Sequence, residues 1–323
     1  MISSYHIFAI YNNIFNQLQF WILTKASIKF KQKEIKIKFN VLVRLTTILG
    51  LFISTNLAVA NETITVVATK FPNGDVLKIT EPILKQQGYD LKIIEIPSYT
   101  GHGIVTEKGS TPQEIHNPNL QVLNGKYDAN FFQPDIYLDE YNKLSGSNLA
   151  DIGKIFYVPF AVYLSPNHKL ESESLSILAK NHDGMTVGIP TSYIDAARAL
   201  KLLEANHLIS LNQGEQIPNI SDITANPYHL HIIQVDNEVM PKLALNNSFD
   251  MIVMNSGRAY LKHLYITNSS LVENNPDRYS NVVVTTTKNQ NSPKMKALVK
   301  ALQSAEVRKF IQQNYKGVVK ASF

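Results

Sequence analysis

His229 and His231 stand two residues apart in a run that reads as a strand, where alternate side chains share a face, so they form the minimum of a metal pair. Neither a cysteine nor an evident carboxylate accompanies them, and a solvated edge strand accounts for them as well; no metal is expected. His102, between two glycines, reads as loop. No Ser-His-Asp order, phosphate-binding loop or carboxylate pair with a job is present, so neither a catalytic residue nor a cofactor is expected. The chain has no cysteine, which excludes disulfides, thiol nucleophiles, cysteine zinc sites and a lipid-carrying cysteine. Arg198 is different. It falls near the start of a helical segment, whose N-terminus favours anions, and a guanidinium meets a planar carboxylate with two parallel hydrogen bonds. Asp195, three residues earlier, is placed to pair with it instead.

The elements that must position these residues alternate in type. ITVVAT (64–69) reads as a strand, KFPNGD as a turn and VLKITEPILKQQG (76–88) as an amphipathic helix stopped by Gly88. LKIIEI (91–96), YDANFF (127–132) and LADIGKIFY (149–157) give three more strands. A similar order recurs: MTVGIP (185–190), a helix over 195–208, LHIIQV (230–235), a helix over 240–248 and DMIVMN (250–255). Strands alternating with helices predict an α/β fold with parallel sheets, built as two similar lobes. A late strand, 280–288, and a helical stretch, 292–315, with no strand after it return to the first lobe. The expected division is 61–156 and 280–323 for lobe 1 and 157–279 for lobe 2, with crossings near 157–162 and 275–281. A ligand cleft between the lobes follows. Phe131 and Phe132 are adjacent on a strand and face opposite ways, so one is core; Phe132 is assigned to the cleft.

Length and composition agree with two ordinary domains: 323 residues, 44% hydrophobic and 18% charged. The net charge of +5 is misleading, because residues 1–60 hold seven Lys/Arg against the single acid Glu34. The rest is near neutral, and nucleic acid is not an expected partner. Within 1–60, the basic run KFKQKEIKIKFNVLVR (29–44) precedes the apolar LTTILGLFI (45–53) and a small-residue site ending at Ala60. That is the layout of a secretory signal cleaved after Ala60, an uncleaved anchor being the alternative. The apolar run is short for a membrane span.

DANFFQPDIYLDEY (128–141), IPTSYIDAARAL (189–200), DMIVMNSGRA (250–259), DRYSNVVVTTTK (277–288) and ALQSAEVRKFIQQNYKGVVKASF (301–323) together resemble the NlpA/MetQ family of methionine-binding proteins, in order and spacing, over about 64–323. The resemblance implies a type II periplasmic-binding fold and an extracytoplasmic receptor that hands methionine to the membrane permease of an ABC importer. It places the ligand carboxylate on Arg198, adds Asn255 at the end of its strand, and forms an aromatic and polar wall from Phe131, Phe132, Gln133 and Tyr137, with Tyr99 closing the second strand. A thioether suits such aromatic edges. Asn255 can equally cap the following helix. The sequence departs from the family at Pro134, where a histidine is usual, and at Asp195, where an asparagine is usual, the new carboxylate facing either the ligand ammonium or Arg198. Residues 100–118 look like an insertion at the cleft mouth. Another amino acid or a short peptide therefore stays open as ligand, and an enzyme on the same fold is the competing class.

Overall fold

The computed structural model describes residues 61–96, 117–168, 179–266, 269–274 and 278–323, with Gln17 alone before them. The signal-like segment, Tyr99, His102 and most of the 100–118 insertion lie outside the described residues. In chain order the first elements are β1 (Glu62–Thr69), α1 (Asp75–Gln86), β2 (Tyr89–Ile96), α2 (Pro118–Leu123), β3 (Ala129–Pro134), α3 (Asp135–Ser145), β4 (Leu149–Tyr157), β5 (Phe160–Leu164) and β6 (Thr186–Pro190). There follow α4 (Tyr193–Ala205), β7 (Ser210–Leu211), β8 (Ile223–Ala225), β9 (His231–Val235), α5 (Met240–Leu245), β10 (Met251–Asn255), α6 (Ser256–Tyr260) and β11 (Ser269–Val272). The chain closes with β12 (Ser280–Thr286), α7 (Pro293–Leu302), α8 (Ala305–Tyr315) and β13 (Lys320–Ala321). Among the described residues no helix is long and apolar enough to cross a membrane.

Two sheets carry the two lobes. The first is six-stranded in the order β13-β4-β12-β3-β1-β2, the second five-stranded in the order β11-β5-β10-β6-β9, and β7 and β8 form a separate pair. The chain passes from the first sheet to the second through Val158 and Pro159, between β4 and β5, and returns between β11 and β12.

The parallel sheets expected from the alternation prove mixed. β1 runs parallel to β2 and β3, and β6 parallel to β9 and β10, but β12 enters between β3 and β4 antiparallel to both. β5 likewise runs antiparallel to β10 and β11. Parallel neighbours need a crossover connection on their own sheet, whereas β5 and β12 arrive from the opposite lobe and run against their neighbours. β5 is itself a correction, since residues 157–162 read as a plain crossing.

Local chemistry explains the elements that position the cleft. In α1 the buried Val76, Leu77, Thr80 and Leu84 follow helical spacing, and Gly88, in the left-handed region at φ +82, stands just past the helix end. The stretch 292–315 is two helices rather than one. The Ser292 and Ser304 hydroxyls accept from the backbone N–H groups of Met295 and Val307, and the second cap breaks the run after Leu302. These helices bury Leu298, Leu302, Val307 and Ile311 against Ile64, Val66 and Leu77 of the first lobe, and β13, another strand not foreseen, then adds to β4. The core of the second lobe gathers Val187, Ile189, Leu200, Leu203, Met251 and Val253.

His229 is not on a strand. It precedes β9 in a left-handed conformation, φ 47, and its Nδ1 lies 3.0 Å from Asp183 Oδ1, while His231 is exposed on β9, the edge strand.

The packing of the returning helices gives a first prediction. Leu298→Ala removes a fully buried side chain and should cost about 2–5 kcal/mol of unfolding free energy in urea denaturation. A loss within about 0.5 kcal/mol, the range of surface substitutions, would mean that α7 does not hold the first lobe together.

Candidate functional site

A cavity of about 650 Å³ lies between the lobes, within the size range of small-molecule sites. The first lobe supplies Phe71, the ends of β1 and β3, Tyr137 on α3 and Asn281 on β12; the second supplies the first turns of α4, the loop after β9, Asn255 and α6. Both apolar and polar groups line it. Phe132 and Tyr137 meet edge to face, ring centroids 5.9 Å apart, while the Thr69 hydroxyl donates to Asn73 Oδ1 (2.7 Å) and Asn73 Nδ2 donates to Asn281 Oδ1 (3.3 Å).

Arg198 is the buried charge of this cavity, with 4% of its surface exposed. A helical side chain leans toward the helix N-terminus, so from the sixth position of α4 Arg198 reaches back along the first turn. Its Nη2 donates to Glu273 Oε2 (2.5 Å) and to the Val158 carbonyl (3.0 Å), and its Nε donates to Glu273 Oε1 (3.3 Å). The guanidinium carbon lies 4.2 Å from the ring centre of Phe160 and 4.3 Å from that of Tyr279. Burial by itself would lower the arginine's pKa, but the Glu273 carboxylate outweighs it and holds the group above its ordinary value. Nη1 has no hydrogen-bond partner among the described residues.

Glu273, also buried, accepts on Oε2 from the Tyr157 hydroxyl and the Phe160 N–H, both at 3.0 Å. One carboxylate thus joins the cleft arginine to the crossing at 157–160, while itself standing at the start of the return crossing. Asp195 forms no ion pair with Arg198. Its Oδ2 accepts from Asn237 Nδ2 at 3.1 Å, and its place in the first turn of α4 favours its negative charge.

Residues 64–323 match the NlpA lipoprotein family. The chain belongs to that family. Lipoprotein 28 of Escherichia coli O157:H7 is 30% identical over 202 residues, covering 62% of this chain and 71% of the relative. The methionine-binding lipoprotein MetQ of Bacillus subtilis strain 168 is 28% identical over 263 residues, 79% and 86% of the two chains. A nutrient binding protein from Burkholderia cenocepacia, solved bound to methionine, superposes with a TM-score of 0.66 at 27% identity over 80% of this chain and 100% of that one. The two-lobed architecture is accordingly that of the periplasmic substrate-binding proteins.

Against the NlpA pattern, the structure brings Arg198, Asp195, Asn255, Phe132, Gln133 and Tyr137 to one cavity. Phe131 is not among them: fully buried, it packs its edge on Phe156 at 5.2 Å in the core of the first lobe, as the alternation of a strand requires of one of the two phenylalanines. Gln133 is spent on structure. Its Nε2 donates to Asn119 Oδ1 (2.6 Å) and Asn130 Oδ1 (3.0 Å), and its Oε1 accepts from Asn119 Nδ2 (2.9 Å). Asn255 caps α6, its Oδ1 accepting from the Gly257 N–H at 2.9 Å, while Nδ2 has no partner among the described residues. A Cβ on Gly257 would lie 3.0 Å from that Oδ1, so glycine permits the close approach.

Glu273 and Asn237 were not foreseen. Glu273 is a lone acid in SSLVENN, 75 residues from Arg198, and no spacing rule connects the two; Asn237 sits in a DNE turn that reads as ordinary loop. Glu273→Ala would leave the guanidinium buried without its counter-charge, and thermal and urea unfolding should show a loss of about 3–5 kcal/mol. Near-wild-type stability would show that the pair holds nothing in place.

Proposed function

We propose that this protein is the extracytoplasmic solute-binding component of an ABC importer, that it captures a small amino acid, methionine first, and that it is a binder rather than an enzyme. The observation that carries this reading is the cluster on the first turns of α4. Arg198 is locked on one edge by Glu273 and keeps Nη1 without a partner among the described residues, in a cavity that also holds the Asp195 carboxylate. A guanidinium edge answers a carboxylate, and a carboxylate one turn earlier answers an ammonium. Asn255 Nδ2 stands as a further donor. Phe132 and Tyr137 give a thioether an apolar, aromatic seat, where sulfur contacts contribute about 0.3–1.5 kcal/mol each. The methionine named for the Bacillus relative and bound in the Burkholderia structure suits the same seat. The lobes are read as 61–156 with 280–323, and 157–279.

Export is part of the same proposal. With no cysteine in the chain, the thioether lipid of the family's lipoproteins has no attachment point, and processing after Ala60 would leave Asn61 as the first residue. N-terminal sequencing of exported protein should begin there. An unprocessed cytoplasmic form starting at Met1 would overturn export.

Native mass spectrometry of the purified protein should find a retained amino acid, and calorimetric titration should show methionine binding more tightly than glycyl-methionine. Arg198→Ala should weaken methionine binding by about 2–5 kcal/mol, roughly 30-fold to several thousand-fold. Affinity unchanged in that variant would remove Arg198 from the site. Phe132→Ala and Tyr137→Ala should each lose about 1–3 kcal/mol of binding if they seat the side chain, and stability alone if they are only core.

A further inference from the structure

Asp195 and Arg198 lie three residues apart on one helix and line one cavity, the arrangement in which opposite charges ordinarily pair. They do not pair, because each is claimed by another residue. Arg198 is held by Glu273, and Asp195 is held from the loop after β9 by Asn237, whose Nδ2 reaches Asp195 Oδ2 at 3.1 Å and Ser192 Oγ at 3.4 Å. Asn237 is 4% exposed and lines the cavity itself, and its Oδ1 is buried without a hydrogen-bond partner. Ser192, the residue before α4, does not use its hydroxyl to cap the helix. The three side chains thus form a small polar assembly whose connections run to Asp195 and not to the helix end. A neutral amide donor leaves the carboxylate its full charge, where pairing with Arg198 would cancel it. Asp195 Oδ1 accepts no hydrogen bond among the described residues.

We infer that Asn237 is a positioning residue that makes the cleft selective for ligands carrying a protonated amine, by holding Asp195 as an uncancelled carboxylate beside the guanidinium. This rests on the amino-acid reading of the cleft. Arg198 is already neutralised by Glu273, so Asp195 leaves this cluster of three charges with one net negative charge. A zwitterion meets both remaining groups. A carboxylic acid of the same shape without the amine brings a second negative charge beside Asp195 with no ammonium to answer it.

The test compares L-methionine with its 2-hydroxy analogue, which replaces the amine by a hydroxyl and keeps the carboxylate and thioether. Kd for both is measured by calorimetry on wild type, Asn237→Ala and Asn237→Ser, with melting temperature as the check on folding. The wild type should prefer methionine, and the preference should fall about tenfold in both variants, the scale of one hydrogen bond to a charged group, with the analogue's own Kd changed less than methionine's. Asp195→Asn should collapse the same ratio, whereas loss of packing alone would weaken both ligands together. A wild-type preference near one, or a ratio unchanged in the variants while methionine still binds, overturns the role of Asn237 and leaves the amino-acid reading standing. A wild type that binds neither probe overturns that reading and this inference with it.

Discussion

The cleft depends on a buried ion pair. Moving a guanidinium and a carboxylate out of water costs several kcal/mol for each ion, and their attraction offsets this only when geometry is good and the remaining donors and acceptors are satisfied. The Arg198–Glu273 pair meets those terms at every group but Nη1, which has no partner among the described residues. Two hydrogen bonds join the ions, the Val158 carbonyl takes a further guanidinium donor, and Tyr157 and the Phe160 N–H satisfy the carboxylate. Phe160 and Tyr279 cover the guanidinium with their aromatic rings. Every partner comes from one of the two crossings or the strands beside them. The interaction that solves the burial problem therefore also ties α4, the element that presents the arginine, to both passages of the chain between the lobes.

A fixed guanidinium has a chemical consequence. An arginine side chain in water carries about 2 kcal/mol of rotamer entropy that any new partner must otherwise offset; here that cost is met in folding, and the Nη1 edge is already placed. The same logic governs the polar residues around it. Asn255 gives its oxygen to a helix cap and Gln133 gives all of its nitrogen and its oxygen to the buried amides Asn119 and Asn130. Those amides stiffen the wall on which Phe132 stands. What a polar side chain contributes to recognition is set by which of its atoms the fold has not already used.

Much of this was legible in the chain, and the failures have physical causes. β-Branched runs such as ITVVAT and the glycine stop at Gly88 are local signals, and the structure places β1 and α1 within a few residues of them. Alternation on a strand separated Phe131 from Phe132. β5 was hidden because FAVYL follows Val158-Pro159 directly, and the proline that follows β4 made the residues after it read as crossing rather than strand. Sheet direction was misread because β5 and β12 come from the opposite lobe, a fact of topology that alternation of strands and helices does not encode. The two C-terminal helices share one apolar stripe, and Ser304, whose cap divides them, looks in sequence like any helical serine.

The site shows the sharper limit. The resemblance to the NlpA pattern pointed to Arg198, since a helical arginine by itself is most often a solvated surface residue, yet its partner could not be named: Asp195 was the only acid within a helical turn, and the acid that pairs with Arg198 comes from 75 residues away. Proximity in sequence favours Asp195, but a helix-surface pair of that spacing contributes only about 0.2–0.5 kcal/mol. A bidentate contact closed inside the fold, with further hydrogen bonds on both ions, outweighs it, and the local pair is left unformed. That leaves Asp195 a charge with a neutral partner beside an arginine with a charged one, and it is on this asymmetry, rather than on the presence of either residue, that a carboxylate end and an amine end of the cleft are proposed.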